Sequence, residues 1–216
     1  MSAADLKKIG ILGGTFDPVH TAHLMISEHA ASELQLDQVW LMPTGRSPHK
    51  DEDKITAASH RVRMIELAIA DNPTLVLSRF ELDDPETSYT YRTAERLKEA
   101  YPSTSFFYIM GADSLIHFRD WVHPEIISRY FHLVVAVRDG VDTEELCALA
   151  DEYDNRFGTK ATVLSVPNFS ISSTDIRNRI ERGLSVRYLT PDPVIDYICA
   201  NGLYGATGSW EKKING

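Results

Sequence analysis

Two histidines stand three positions apart behind a glycine pair, in the run Gly13-Gly14-Thr15-Phe16-Asp17-Pro18-Val19-His20-Thr21-Ala22-His23. Residues of these types at this spacing suit the handling of a phosphate. Paired glycines let the backbone come close to a ligand. A helix starting behind them offers unpaired N–H groups and the positive end of its dipole to an anion. If that helix begins near Thr21, both imidazoles lie on its first turn and face the same anion. There they can donate hydrogen bonds to phosphoryl oxygens as negative charge builds. The plainer alternative is that one histidine caps the helix and the other packs; two of them directly behind Gly-Gly-Thr-Phe favour the chemical role. The run is not a dinucleotide fingerprint, since no Gly-x-Gly-x-x-Gly is present, nor a Walker loop, since no Gly-Lys-Ser/Thr follows.

A second set lies far along the chain, Ile171-Ser172-Ser173-Thr174-Asp175-Ile176-Arg177. Ser172 or Ser173 can cap a helix, with Thr174 in its first turn. Arg177 then falls one turn further on, beside the helix start. Hydroxyls, free amides and a guanidinium in one place suit a polyphosphate. An ordinary cap with a solvated arginine is the alternative, and the first set argues against it.

These residues must be positioned by the elements between them. Short apolar runs read as strands at Lys8 to Leu12, Gln38 to Met42, Thr74 to Ser78, Ser105 to Met110, Leu133 to Val137 and Ala161 to Val166. Helical spacing covers Leu24 to Leu36, Ala57 to Ala70, Thr90 to Ala100, Thr143 to Tyr153, Ser172 to Arg182 and Pro193 to Ala200. Pro43 to Lys54 reads as a polar loop and Glu81 to Ser88 as an acidic turn. Helices between continuous apolar strands predict an α/β fold, a doubly wound parallel sheet with right-handed crossovers. In such a sheet the two sets can meet at the carboxyl ends of the strands, where ligands bind. One domain over 1–204, with a small helical extension at its C-terminal end, accounts for the chain. The tail from Gly205 to Gly216 is expected to fray.

The bulk numbers agree. The chain has 216 residues, of which 43% are hydrophobic and 25% charged, enough for a globular core. Lys and Arg number 22 against 31 Asp and Glu, a net charge of −9, which argues against a nucleic acid or acidic membrane as partner. A local cationic pocket is compatible with that balance. Cys147 and Cys199 have no metal-type spacing, so buried thiols in a reducing compartment are expected. Met1 to Lys8 lacks an apolar signal core, and no run approaches the roughly 18 apolar residues that span a bilayer. The expectation is a cytoplasmic protein.

Gly13 to His23 resembles the signature of the nucleotidyltransferases that carry a His-x-Gly-His motif, with Ala22 where glycine is usual. The second set is similar to the Ile-Ser-Ser-Thr-x-Ile-Arg motif of the same superfamily. The pieces between resemble the nicotinate mononucleotide adenylyltransferases: Pro48-His49-Lys50, Ser88-Tyr89-Thr90, and Gly111-Ala112-Asp113-Ser114-Leu115 followed by Phe118 and Trp121. The resemblance covers roughly residues 8 to 202. It departs at Tyr91-Arg92, where a small aliphatic residue and an aspartate are usual, and at Asp139, where proline is usual.

The resemblance implies a Rossmann-like sheet of the nucleotidylyl transferase type and transfer of AMP from ATP to nicotinate mononucleotide. It implies phosphate handling by His20, His23, Lys50 and Arg177. ATP would further meet Gly13, Gly14, Thr15, Phe16, Gly111, Asp113, Ile171, Ser173 and Thr174. The mononucleotide would meet Thr15, His49, Lys50, Ser88, Tyr89, Thr90, Trp121 and Arg138. Main-chain amides at Ser88 to Thr90 would cradle the pyridine carboxylate, and Trp121 would stack on the ring. Mg2+ would bridge the ATP phosphates, mostly water-bound, with no metal ligand from the protein. ATP and a pyridine mononucleotide are the partners implied, and a homo-oligomer is compatible with the sequence. Rivals are transfer to nicotinamide mononucleotide or phosphopantetheine, and a non-catalytic nucleotide-binding regulator.

Overall fold

The computed structural model describes residues 8–45, 55–138, 143–167 and 170–206, with only the backbone of Arg138 described. Six strands form one parallel sheet: β1 (Lys8–Gly14), β2 (Gln38–Pro43), β3 (Leu75–Leu77), β4 (Ser105–Gly111), β5 (Phe131–Arg138) and β6 (Ala161–Val166). Their order is β3-β2-β1-β4-β5-β6. The chain therefore winds outward in one direction from β1, then returns and winds outward in the other from β4. The Rossmann-like expectation is met.

The apolar runs are buried because both faces of the sheet are covered. Successive residues point to opposite faces. Leu12, Leu41, Ile109 and Val134 join one core, with Met64 and Ile65 of α2 (Ala58–Ala68), Ile176 and Ile180 of α7 (Ser173–Glu181), and Ile195 and Ile198 of α8 (Asp192–Ala200). Ile11, Met42, Met110 and Val135 join the other, with Leu97 of α3 (Thr90–Ala100), Leu115 of α4 (Ala112–Ile116), Ile127 of α5 (Pro124–Tyr130) and Tyr153 of α6 (Glu144–Phe157). The first helix, α1 (Thr21–Leu34), ends where Gln35 takes a left-handed conformation at φ 51° and its N–H returns to the Ala31 carbonyl.

Several expectations are corrected. β3 is three residues long. The stretch 112–130, to which the apolar spacing assigned no element, folds as α4, a 3₁₀ turn at Phe118–Asp120 and α5. Helices of five and seven residues are too short to show a 3.6-residue period. Cys147 is exposed and Cys199 partly buried, so the thiols are not the buried pair expected. Among the described residues, no helix is long and apolar enough to cross a membrane.

Candidate active site

The carboxyl ends of β1 and β4 lie side by side where the winding reverses, so the loops that follow them diverge and leave a crevice. A cleft of about 620 Å3 opens there. His20, Ala22 and His23 line it from the β1 side, Gly111 and Asp113 from the β4 side, and Ile171 and Ser173 from the start of α7. The two sequence sets thus meet, as their types require. A Cβ on Gly111 would find nothing within 4 Å, so that strand end is open to a ligand.

The histidines are fixed by the loop before α1. Phe16 is in the left-handed region at φ 52° and the Asp17–Pro18 peptide is cis. His20 precedes the helix in an extended conformation, and its backbone N–H donates to His23 Nδ1 at 3.2 Å. That bond makes Nδ1 the acceptor, so the neutral ring of His23 carries its proton on Nε2. The two rings stack, with centroids 3.6 Å apart and planes 19° from parallel. Phe16 meets His23 edge-on at 4.8 Å. Phe16 is itself buried in the core, so it supports the imidazole where direct ATP contact was expected. The Nδ1 atom of His20 is buried and makes no hydrogen bond among the described residues.

Burial lowers the pKa of His20 to about 4, a backbone hydrogen bond partly opposing it. Burial, and then the charge of His20, hold His23 well below the usual value. Both rings are therefore neutral at pH 7. The unfolded chain protonates them below about pH 6.5, whereas the fold resists until a much lower pH. Their influence on stability is absent above that value and grows as a penalty on further acidification. The unfolding temperature is expected to fall by about 6–12 °C between pH 6.5 and pH 4 through His20, and His20→Asn to show a shallower decline in thermal melts.

The second set grips the first. Ser172 caps α7, its hydroxyl accepting from the Asp175 N–H at 3.1 Å. Ser173 donates to the Pro18 carbonyl at 2.9 Å. Arg177 donates through Nη1 to the Asp17 carbonyl at 2.7 Å and through Nη2 to Thr174 Oγ1 at 3.3 Å.

Sequence reasoning took Asp17 as a turn residue and passed over its partners. Its buried carboxylate accepts from the Tyr204 hydroxyl at 2.6 Å and from the Thr56 N–H at 3.1 Å. Buried Arg61 donates to the carbonyls of Thr15 at 2.9 Å, Thr44 at 3.2 Å and Thr56 at 3.0 Å. Burial lowers its pKa and the Asp17 charge opposes that. Thr190 donates to the Val19 carbonyl at 2.8 Å. The histidine loop is thus held by α2, α7 and the C-terminal turn together.

A second group lies on the other side of the β1 end. α3 begins at Thr90, directly behind Ser88 and Tyr89. A Cβ on Gly13 would stand 3.1 Å from the Tyr108 hydroxyl, so that glycine lets the phenol lie under the strand end. Burial pushes the Tyr108 pKa up to about 12, with Glu81 adding to the rise and a hydrogen bond with Thr90 opposing it. Trp121 is half-buried, edge-on to Tyr108 at 6.2 Å and tilted against Phe118 at 5.6 Å. At the departures from the family pattern, Tyr91 packs edge-on to His123 at 4.8 Å and Arg92 pairs with Glu86 at 3.3 Å. His49, Lys50 and the Arg138 side chain lie outside the described residues, as does the tail from 207 onward.

Comparison with known proteins bears on the family and the fold. The cytidylyltransferase-like family model matches residues 11–179. A Lachnoclostridium phytofermentans protein named probable nicotinate-nucleotide adenylyltransferase is 36% identical over 199 residues, 92% of this chain and 100% of its own. An Enterococcus faecalis protein of the same name is 39% identical over 198 residues, 92% of this chain and 85% of its own. The solved nicotinic acid mononucleotide adenylyltransferase of Plasmodium falciparum, complexed with NaAD, superposes with a TM-score of 0.77 at 21% identity, covering 93% of this chain and 98% of that one. At that identity the superposition speaks to the fold.

Proposed function

Because the chain belongs to the cytidylyltransferase-like family and is similar over its length to nicotinate-nucleotide adenylyltransferases, we propose that it transfers AMP from ATP to nicotinate mononucleotide in NAD biosynthesis. The products are nicotinate adenine dinucleotide and pyrophosphate. The observation that carries the reading is the stacked neutral pair His20 and His23, facing Ser173 and Gly111 across one cleft.

A 5′-phosphate oxygen of the mononucleotide attacks the α-phosphorus of ATP. One P–O bond forms, the bond to the bridging α–β oxygen breaks, and its electron pair leaves with pyrophosphate. The attacking group belongs to the substrate, so no side-chain nucleophile is required. Catalysis is positioning and charge stabilisation. His23 donates Nε2–H to a phosphoryl oxygen, and His20 supplies the second imidazole. Neutral rings suit this role: they enter the cleft without a competing counter-ion, and the arriving polyphosphate favours their protonated forms. Arg177, with the first-turn amides of α7, receives the β- and γ-phosphates, and the family resemblance adds Lys50 as a further cation for them. Asp113 accepts from ribose hydroxyls. The Ser88–Thr90 turn receives the pyridine carboxylate, and Trp121 stacks on the ring.

Among the described residues, the polar groups lining the cleft are imidazole, amide and hydroxyl groups with Asp113 as the one acid, a set that fits a cation held by phosphates and water. Mg2+ so held would neutralise charge on the triphosphate. Two cysteines without metal-type spacing fit the reducing cytoplasm, where this reading places the reaction.

Purified protein given ATP, Mg2+ and either nicotinate or nicotinamide mononucleotide tests the reading, with dinucleotide and pyrophosphate both quantified. Preference for the acid by about tenfold or more in kcat/KM is expected, because amide donors lose a charged acceptor with the amide. Equal use of the two removes the acid-specific role of the 88–90 turn. No product from either overturns the activity.

A further inference from the structure

The Ser88–Thr90 turn is held by a carboxyl group outside every motif recognised in the sequence. Glu81 lies between β3 and α3, and its Oε1 accepts from the Thr93 hydroxyl at 2.9 Å. Thr93 is 4% exposed and sits one turn into α3, where the same hydroxyl also approaches the Tyr89 carbonyl at 3.4 Å. The neighbouring Ser88 Oγ is buried and makes no hydrogen bond among the described residues. The carboxyl thus reaches the turn through Thr93, whose hydroxyl also meets the Tyr89 carbonyl inside it.

The turn is enclosed on its other sides as well. A Cβ on Gly45 would stand 2.5 Å from the Glu81 carbonyl oxygen and 3.1 Å from Ser88 Oγ, so the chain leaving β2 lies directly against this segment. Tyr108 holds Thr90 from below while its hydroxyl sits beside Gly13. Glu81, Ser88, Thr90 and Tyr108 therefore tie the turn to the ends of β1 and β2, the edge of the candidate site. The nearest cation among the described residues, Arg96, is engaged with Asp84 and lies over the Phe80 ring at 4.7 Å. Burial raises the Glu81 pKa, and the Thr93 hydrogen bond opposes the rise. A carboxyl is costly to withdraw from water. Here it is held by the Thr93 hydroxyl beside the turn, and amides that bind an anion work only when held in place.

We propose that Glu81 is a positioning residue for the acceptor, fixing through Thr93 the main-chain amides that receive the carboxylate of the pyridine mononucleotide. The inference rests on the function proposed above. Its test compares Glu81→Met, which keeps the volume and removes both acceptors, with Glu81→Gln, which keeps one carbonyl acceptor. Steady-state rates with nicotinate mononucleotide and ATP varied separately give both KM values. Glu81→Met is expected to raise the KM for the mononucleotide about tenfold and leave that for ATP within about twofold. Glu81→Gln is expected to recover most of the loss. Thr93→Val removes a single partner and is expected to raise the mononucleotide KM about threefold, which serves where the methionine variant does not fold. An unchanged mononucleotide KM in Glu81→Met and Thr93→Val, or parallel rises in both KM values, overturns the role of Glu81 while the activity stands. A wild-type chain that makes no dinucleotide overturns the activity, and the role of Glu81 with it.

Discussion

Replacing His23 with alanine is expected to lower kcat by about 10²–10³-fold while changing the KM for ATP by less than about threefold. Removing one preorganised donor to a developing oxyanion typically costs that much. The His23 ring is well placed for such a role. It lines the cleft and presents Nε2–H, because Nδ1 is committed to the His20 N–H. Its stacking partner is His20 and its edge support is Phe16, so little rearrangement is needed when charge develops. In the proposed function, ground-state ATP would also be bound by Ser173, the α7 amides and Arg177, which is why KM should move less than kcat. The loss should exceed that of His23→Gln, where a side-chain amide can still donate. Single-turnover measurements with saturating ATP separate the chemical step from product release. Equal rates in the wild type and His23→Ala would remove this histidine from the mechanism.

Most of this site was legible because its chemistry is concentrated in two continuous strings. Gly13 to His23 carries its glycines and imidazoles, and Ile171 to Arg177 its capping hydroxyls and guanidinium, each within one short stretch of chain, so residue types alone suggested a phosphate. The parallel sheet was legible for a similar reason: strands buried on both faces appear as unbroken apolar runs. What escaped was whatever depends on contacts between distant positions. Asp17 and Tyr204 are 187 positions apart, and no local pattern links them. Arg61 is one position of a predicted helix with no local mark, yet it is buried and donates to three carbonyls of the connections after β1 and after β2. Phe16 belongs to the glycine string, so it was grouped with ligand contacts, whereas its side chain turns into the core. Glu81 was read within an acidic turn, although burial and the Thr93 hydroxyl set it apart from exposed Asp83 and Glu86.

Arg177→Met is expected to weaken ATP and pyrophosphate binding by about 30–100-fold, with a smaller effect on kcat. Loss of a hydrogen bond to a charged group is worth about 1.5–3 kcal/mol, and each 1.4 kcal/mol is tenfold in affinity. The guanidinium is held by the Asp17 carbonyl and Thr174 Oγ1, which use two of its five N–H donors. The others are available to phosphate oxygens at the N-terminus of α7. Its anchoring also joins the two halves of the site, since Asp17 and Arg177 are 160 positions apart. Arg177→Lys separates these contributions. An ammonium retains the charge but cannot span the Asp17 carbonyl and the phosphates in one plane. It should therefore recover part of the affinity for pyrophosphate and little of the coupling to the histidine loop. Titration calorimetry with ATP and with pyrophosphate measures both. Wild-type affinity in Arg177→Met would mean that the guanidinium serves the fold alone, and that the helix start and Lys50 carry the polyphosphate without it.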